Sequence, residues 1–319
     1  MSANSSSKQV IYATLVGNLL VALTKASAAA WTGSSAMLSE AVHSLVDTGN
    51  ETLLLYAIHR SGRHADPEHP LGYGRELYFW SFIVALLVFG LGAGVSLYEG
   101  ILHIQFPKSI SDPLVNYVVL GLAFLFEGAS WFVALRHFKA VKGSLGYYEA
   151  FRRSKDPLSF MVLFEDSAAL IGILIAALGT FAATTLDAPV FDGVASILIS
   201  LVLAGTASLL ARESKSLLLG ERADIKLSDS ILHIAESASL ASRVNGVLTV
   251  HLAPDQILAA ISLEFADDLR TPQIEDAVIN IERSIRAAHP EVVTLFVKPQ
   301  TAKSFTETVR LRFGNPSSE

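Results

Sequence analysis

Hydrophobic positions in this chain come in long blocks, not in the short alternating or three-and-four spacing of a soluble fold. A bilayer crossing needs ~20 mostly apolar residues. Six blocks reach or approach that length, at about residues 10–30, 35–58, 78–101, 114–135, 158–180 and 190–211. The first, fourth, fifth and sixth are clean. The second is interrupted by Glu40, His43, Asp47 and Glu51. These four fall at i, i+3, i+7 and i+11, so they share one stripe of a helix. A polar stripe on an apolar helix faces a bundle interior or a water-filled cavity rather than lipid. A secretory leader is the rival reading of the first block, with Lys8, an apolar run and Ala26-Ser27-Ala28. Against it, the run continues to Trp31, and removing it would break the charge asymmetry described below.

After Arg212 the pattern changes. Glu213, Lys215, Glu221, Arg222, Asp224 and Lys226 make a polar linker. A short helix follows over 228–240, with Ser and Asp at its start. Residues 247–252 and 257–265 predict two strands joined across Pro254-Asp255. An amphipathic helix spans 271–288, with Ile274, Val278, Ile281 and Ile285 on one face. A last strand, 292–297, stops before Pro299. The expected fold is therefore a polytopic α-helical membrane protein with six transmembrane helices. A small α+β domain of order α-β-β-α-β, ferredoxin-like, comes after it. The expected boundary separates a transport domain at 1–211 from a linker and cytoplasmic dimerisation domain at 212–319.

Composition supports the membrane reading. The chain has 319 residues, is 51% hydrophobic and only 17% charged, and has a mean hydropathy of +0.45; soluble domains carry about 25% charge. With no Cys, disulfides, thiolate metal sites and a cysteine nucleophile are excluded. A net charge of −6 gives no support to nucleic-acid binding. Basic residues are distributed unevenly. Lys8, then Arg60, Arg63 and Arg75, then Arg136, Lys139, Lys142, Arg152, Arg153 and Lys155, then Arg212, Lys215 and Arg222 occupy alternate connections, while the opposite loops carry only Lys108. The positive-inside rule makes both termini cytoplasmic. The expected location is the cell (inner) membrane. At span five, Asp156-Pro157 has the form of an N-cap followed by a first-turn proline.

The chemistry lies in the polar positions of the spans. His43 and Asp47 are four apart and stack on one helix face, half a cage for a divalent transition metal. The alternative is a hydrogen-bonded structural pair. Span five carries Phe164-Glu165-Asp166-Ser167 inside its apolar run, and Asp166 is the natural partner for the pair. Glu165 lies about 100° round the helix from Asp166. It is open to three roles: a ligand, a proton site or a contact to another helix. Glu127 in span four lines the cavity, relays protons or pairs with Lys25 of span one. The loop at 66–75 holds Asp66 and His69 three apart, followed by turn glycines. It is either a metal site at the pore mouth or an ordered Pro/Gly loop. His233, His251 and His289 are isolated. Neither a G-x-x-x-x-G-K-[ST] phosphate loop nor an H-E-x-x-H pair is present.

Three segments carry a resemblance: Ser39-Glu40-Ala41-Val42-His43-Ser44-Leu45-Val46-Asp47, His69-Pro70-Leu71-Gly72-Tyr73-Gly74-Arg75 and Leu163-Phe164-Glu165-Asp166-Ser167-Ala168-Ala169. Together they resemble the cation diffusion facilitator family of metal-proton antiporters, and most of all its zinc transporter nine branch. The resemblance covers nearly the whole chain. It implies a homodimer in the lipid bilayer that exports Zn2+, or Mn2+ or Fe2+, from the cytoplasm in exchange for H+. It implies no enzyme activity and no tightly bound cofactor, the metal being the substrate. His43, Asp47 and Asp166 match family ligand positions. A fourth ligand, usually His four residues before the span-five Asp, is replaced by Val162, so water, Glu165 or another carboxylate must complete the shell. An oxygen-richer shell moves selectivity toward Mn2+ or Fe2+. At the pore mouth Asp66 and His69 match, while Tyr73 stands where some members have His. Glu40, Glu51 and Glu127 are proton-pathway candidates. The rival from another class is an intramembrane metal-dependent hydrolase, with three ligands and a water at an open position.

Overall fold

The computed structural model describes residues 3–142, 146–153, 157–237 and 241–313. The chain forms two compact units: Met1–Gly62 with Glu76–Lys215, and Arg63–Arg75 with Ser216–Glu319. The second unit therefore includes the loop between the second and third helices, which the sequence reading placed with the spans.

The first unit is helical. Its elements are α1 (Ala3–Thr32), α2 (Ser35–Ser61), α3 (Glu76–Leu87), α4 (Gly94–Gln105), α5 (Pro113–Lys142), the short α6 (Tyr147–Arg153), α7 (Pro157–Thr185) and α8 (Val190–Leu219). A π-helical turn, Val88–Ala93, joins α3 to α4. Among the described residues five helices are long and apolar enough to cross a membrane: Leu15–Thr32, Glu76–Gln105, Pro113–Ala140, Phe160–Thr185 and Val190–Leu219. The π turn falls in the glycine-rich part of the second of these, and such bulges accommodate an extra residue without breaking the helix. α2 is as long but falls short on apolarity because of its charged stripe. Its start is well defined: Gly33 takes a left-handed φ of 71°, and Ser34 Oγ accepts from the Met37 amide at 3.1 Å. The Asp156 cap expected for span five lies outside the described residues; the helix begins at Pro157.

Packing in this unit is inverted relative to a soluble protein. Leu122, Leu125, Phe132, Val133 and Leu178 are exposed, whereas Lys25, Glu40, His43, Asn50, Asn116 and Asp192 are buried. Apolar side chains outside and polar ones inside suit a lipid surround. Small residues let the helices meet: a Cβ at Gly100 would come within 2.8 Å of the Gly193 carbonyl, and one at Gly193 within 2.9 Å of the Gly100 carbonyl.

The second unit contains α9 (Ile225–Glu236), β1 (Ala241–Ala253), β2 (Gln256–Phe265), α10 (Thr271–Ala288), β3 (Val292–Pro299) and α11 (Ala302–Phe313). β1 and β2 form an antiparallel hairpin, with Val247 opposite Ile261. β3 adds parallel to β2, giving the order β1-β2-β3. Ile231 and Ala235 of α9 and Ile281 and Ile285 of α10 close a core on Ile261, Leu263 and Val292. The sequence order α-β-β-α-β thus appears, with three differences, the first being that α9 starts at Ile225, capped by Asp224, and ends at Glu236, where 228–240 was expected. β1 starts six residues earlier than expected, at Ala241, through bulged pairing at Arg243 and Gly246 that weakens the alternation. α11 was not expected, because its apolar residues are few; the Phe305 ring lies where a Cβ on Gly246 would sit, at 2.7 Å.

Candidate functional site

α2 presents its stripe inward, as its pattern requires. Glu40 and His43 are buried and Asp47 is largely so. His43 Nδ1 stands 3.4 Å from Asp47 Oδ1. That contact does not close as a hydrogen bond: both ring nitrogens of His43 and Oδ1 of Asp47 are buried without a hydrogen-bond partner. Buried polar atoms are nearly always paired, so three orphaned ones on adjacent turns form an unusual concentration of unpartnered polar groups.

Asp47 opens onto a cavity of about 40 Å3. Glu51 of α2, Glu127 of α5 and Glu165 and Asp166 of α7 border it too. The structure therefore brings Asp166 to the same chamber as Asp47. His43 sits beside Asp47 but not on the cavity wall. Glu165 borders the same cavity as Asp166, although the two lie about 100° apart round α7. Val162 lines the cavity as well and offers no donor. Among the described residues no three of these side chains converge as a metal-holding group, so the donors share a chamber without meeting at a point.

Polar neighbours hold the carboxylates in place. Asn50 Nδ2 donates to Glu165 Oε1 at 3.1 Å, Ser130 Oγ donates to Asp166 Oδ2 at 2.8 Å, and Asn18 Nδ2 donates to Glu51 Oε1. Sequence reasoning missed all three. Asn50 is seven residues beyond His43 on the same stripe, and Ser130 is three beyond Glu127 on α5; both spacings were visible. Asn18 had no such signal. Glu40, a proton-pathway candidate, turns away from the cavity toward Lys25, with Nζ to Oε2 at 3.1 Å. Glu127 lies 4.0 Å from the same ammonium, so it both lines the cavity and approaches Lys25.

The loop pair looks different. Asp66 Oδ1 accepts from the Glu68 and His69 amides at 3.0 and 2.7 Å, and His69 Nδ1 lies 3.3 Å from it. Tyr73 donates its hydroxyl to Asp66 Oδ2 at 2.6 Å. These donors hold the Asp66 carboxyl at about 2, below its ordinary range, the Tyr73 hydroxyl being the largest cause and the His69 amide the next. The Arg63 guanidinium packs over the Tyr73 ring at 4.8 Å. The loop spends its carboxylate on its own turn. In the second unit, His289 accepts or donates with Ser230 Oγ at 2.8 Å, and His233 is exposed; among the described residues no metal cluster forms there.

Residues 11–219 match the family of the cation efflux transmembrane domain. The human proton-coupled zinc antiporter SLC30A9, mitochondrial, is 30% identical over 238 residues, 74% of this chain and 42% of that protein. Metal tolerance protein C4 of Arabidopsis thaliana is 30% identical over 238 residues, 74% of this chain and 52% of its own. The cation-efflux pump FieF of Escherichia coli is 29% identical over 149 residues, 45% of this chain and 49% of the pump. The chain spans about half the length of these relatives. The names of the antiporter and the pump describe transport and not hydrolysis, in agreement with the resemblance drawn from the stripe on α2 and the Glu165-Asp166 pair. The chain belongs to the cation efflux family, the cation diffusion facilitators, and is similar to its zinc transporter nine branch.

Proposed function

We propose that this chain is a secondary transporter that exports a divalent transition-metal cation from the cytoplasm in exchange for protons. Zn2+ is the first substrate and Mn2+ or Fe2+ the alternatives. The observation that carries this reading is the orphaned His43–Asp47 pair beside a small, buried cavity bordered by carboxylates of three helices. The named activity of the SLC30A9 relatives supports it.

In this scheme α2 is the sixth membrane span, its polar stripe shielded by the helices around it. The spans form a transport domain, the residues after about 212 form a cytoplasmic domain, and the active unit is a homodimer. The basic loops put both termini on the cytoplasmic side of the cell (inner) membrane.

A cavity of about 40 Å3 has room for about three waters at ~10–15 Å3 each, fewer than the full shell of a hydrated divalent ion. The ion must therefore exchange water for protein oxygen and nitrogen. His43, Asp47 and Asp166 are the proposed ligands, and they must be deprotonated to bind. A small movement of α2 against α7 brings them together. Glu165 or a retained water completes the shell where Val162 has no donor, and this oxygen-rich shell admits Mn2+ and Fe2+ beside Zn2+. On the far side protons displace the ion. Glu51 and Glu127 lead the proton to the site. The pore-mouth role of Asp66 and His69 has the weakest support, because Asp66 is already committed to its turn.

Metal uptake into proteoliposomes under an imposed pH gradient tests the reading. Uptake is expected to follow the gradient and to be lost in His43→Ala and Asp47→Ala. Wild-type rates in either variant would remove the assignment. Peptide cleavage without ion flux would favour the hydrolase.

A further inference from the structure

One buried charge has no part in the scheme above. Lys25 lies in α1 within an apolar run and is 0% exposed. Its ammonium donates to Glu40 Oε2 at 3.1 Å and to Ser44 Oγ at 2.8 Å, with Glu127 Oε1 at 4.0 Å. Oxygens from α2 and α5 thus surround a cation that is bolted to α1. Two of them, Ser44 and Glu127, also border the cavity of Asp47 and Asp166. Glu40 is fixed from behind: its Oε1 has no partner and lies where a Cβ on Gly172 would come within 2.2 Å. The position is an oxygen-lined cation site, and a lysine fills it.

We propose that Lys25 is a tethered cation of the transport cavity, which keeps a second metal ion out and sets the affinity for the first. The proposal rests on the transport reading. A fixed positive charge next to a carboxylate-rich chamber opposes a divalent ion entering it, and Glu40 offsets most of that charge. Removing Glu40's charge therefore leaves the chamber too positive. Removing Lys25 leaves it too negative and frees Glu40, Ser44 and Glu127 as donors. A purely structural ion pair behaves differently. Losing either partner leaves a buried unpaired charge and damages the bundle in the same direction.

The sign of the effect decides between them. Zn2+ alone is titrated calorimetrically into the full chain in nanodiscs, for wild type, E40Q, K25M and K25M/E40Q. The tethered cation predicts that E40Q binds about tenfold more weakly and K25M about tenfold more tightly. K25M also takes up a second equivalent, and the double variant returns to one ion at near wild-type affinity. Single variants that both weaken binding, or that both leave it unchanged, overturn the proposal. If K25M does not fold, K25Q replaces it: the neutral amide keeps a hydrogen-bond donor for Glu40, must still tighten Zn2+ binding about tenfold, and an affinity equal to or weaker than wild type overturns the proposal. A folded wild type that binds no Zn2+ sinks the transport reading, and this proposal with it. Wild-type binding without alternating signs sinks this proposal alone.

Discussion

Two of the chain's aspartate–histidine pairs stand within four residues in sequence and at nearly the same distance: 3.4 Å for Asp47 and His43 in α2, and 3.3 Å for Asp66 and His69 in the loop. In the loop, backbone amides and the Tyr73 hydroxyl consume the carboxylate's lone pairs, and the group is open to water. In the helix the backbone donors are already committed to the helix ladder, so none is left to satisfy the side chains. Burial then removes water as well. The same residue types at similar spacing thus give a finished turn in one place and unpartnered polar atoms beside a cavity in the other. On the transport reading it is the unpartnered atoms, not the proximity, that mark the metal site.

The largest expected effect separates the two places directly. Asp47→Ala should lower Zn2+ uptake in proteoliposomes by more than about a hundredfold, since it removes a ligand outright. Asp66→Ala should leave uptake within about twofold. Comparable losses in both would erase the distinction.

Packing around the helix pair gives the next effect. Gly172→Ala adds a methyl group into the Glu40 carboxylate without touching any proposed ligand. It should cost about 1–3 kcal/mol, read as a lower midpoint in thermal unfolding in detergent. An unchanged midpoint would mean that α2 and α7 are not held as tightly as the geometry implies.

Smaller still are the positioning groups. Ser130→Ala and Asn50→Ala leave every ligand in place but free Asp166 and Glu165 to turn. Each should raise the KM for metal about tenfold with little change in kcat. A fall in kcat at constant KM would instead place these residues in the conformational step.

The loop supplies the smallest effect. Tyr73→Phe removes the main cause of the lowered Asp66 pKa, which should move from about 2 toward 3.8. A carboxylate held low stabilises its turn above its ordinary pKa, and that contribution disappears as the pH falls from about 4 through 2. Carbon-13 NMR of labelled Asp66 follows the titration. No change in loop order is expected between pH 5 and 8, well above the Asp66 titration. A midpoint unmoved in Tyr73→Phe would show that the hydroxyl is not the cause.

Much of this contrast was legible in the residues. The spacing of Glu40, His43, Asp47 and Glu51 placed a polar stripe on one helix, because helix geometry alone fixes which side chains share a face. The Glu165-Asp166 pair inside an apolar run marked the partner helix for the same reason. The family followed from these segments. Less legible was anything that depends on what surrounds a side chain. Nothing in the spacing of Asp66 and His69 reveals that Tyr73 reaches back to Asp66. Likewise, the run around Lys25 does not say that its ammonium enters the oxygens of Glu40 and Ser44 rather than pairing with Glu127 alone. That one cavity takes in both Glu165 and Asp166 depends on residues of four helices at once. Local pattern also failed where bulges blur alternation, at the start of β1, and where a helix buries little, at α11.

The most direct measurement is anomalous diffraction at the zinc edge from crystals grown with Zn2+. The account predicts one strong peak in the membrane unit, in contact with His43, Asp47 and Asp166, and none at Asp66 and His69. A peak at the loop with the α2 cavity empty would contradict it.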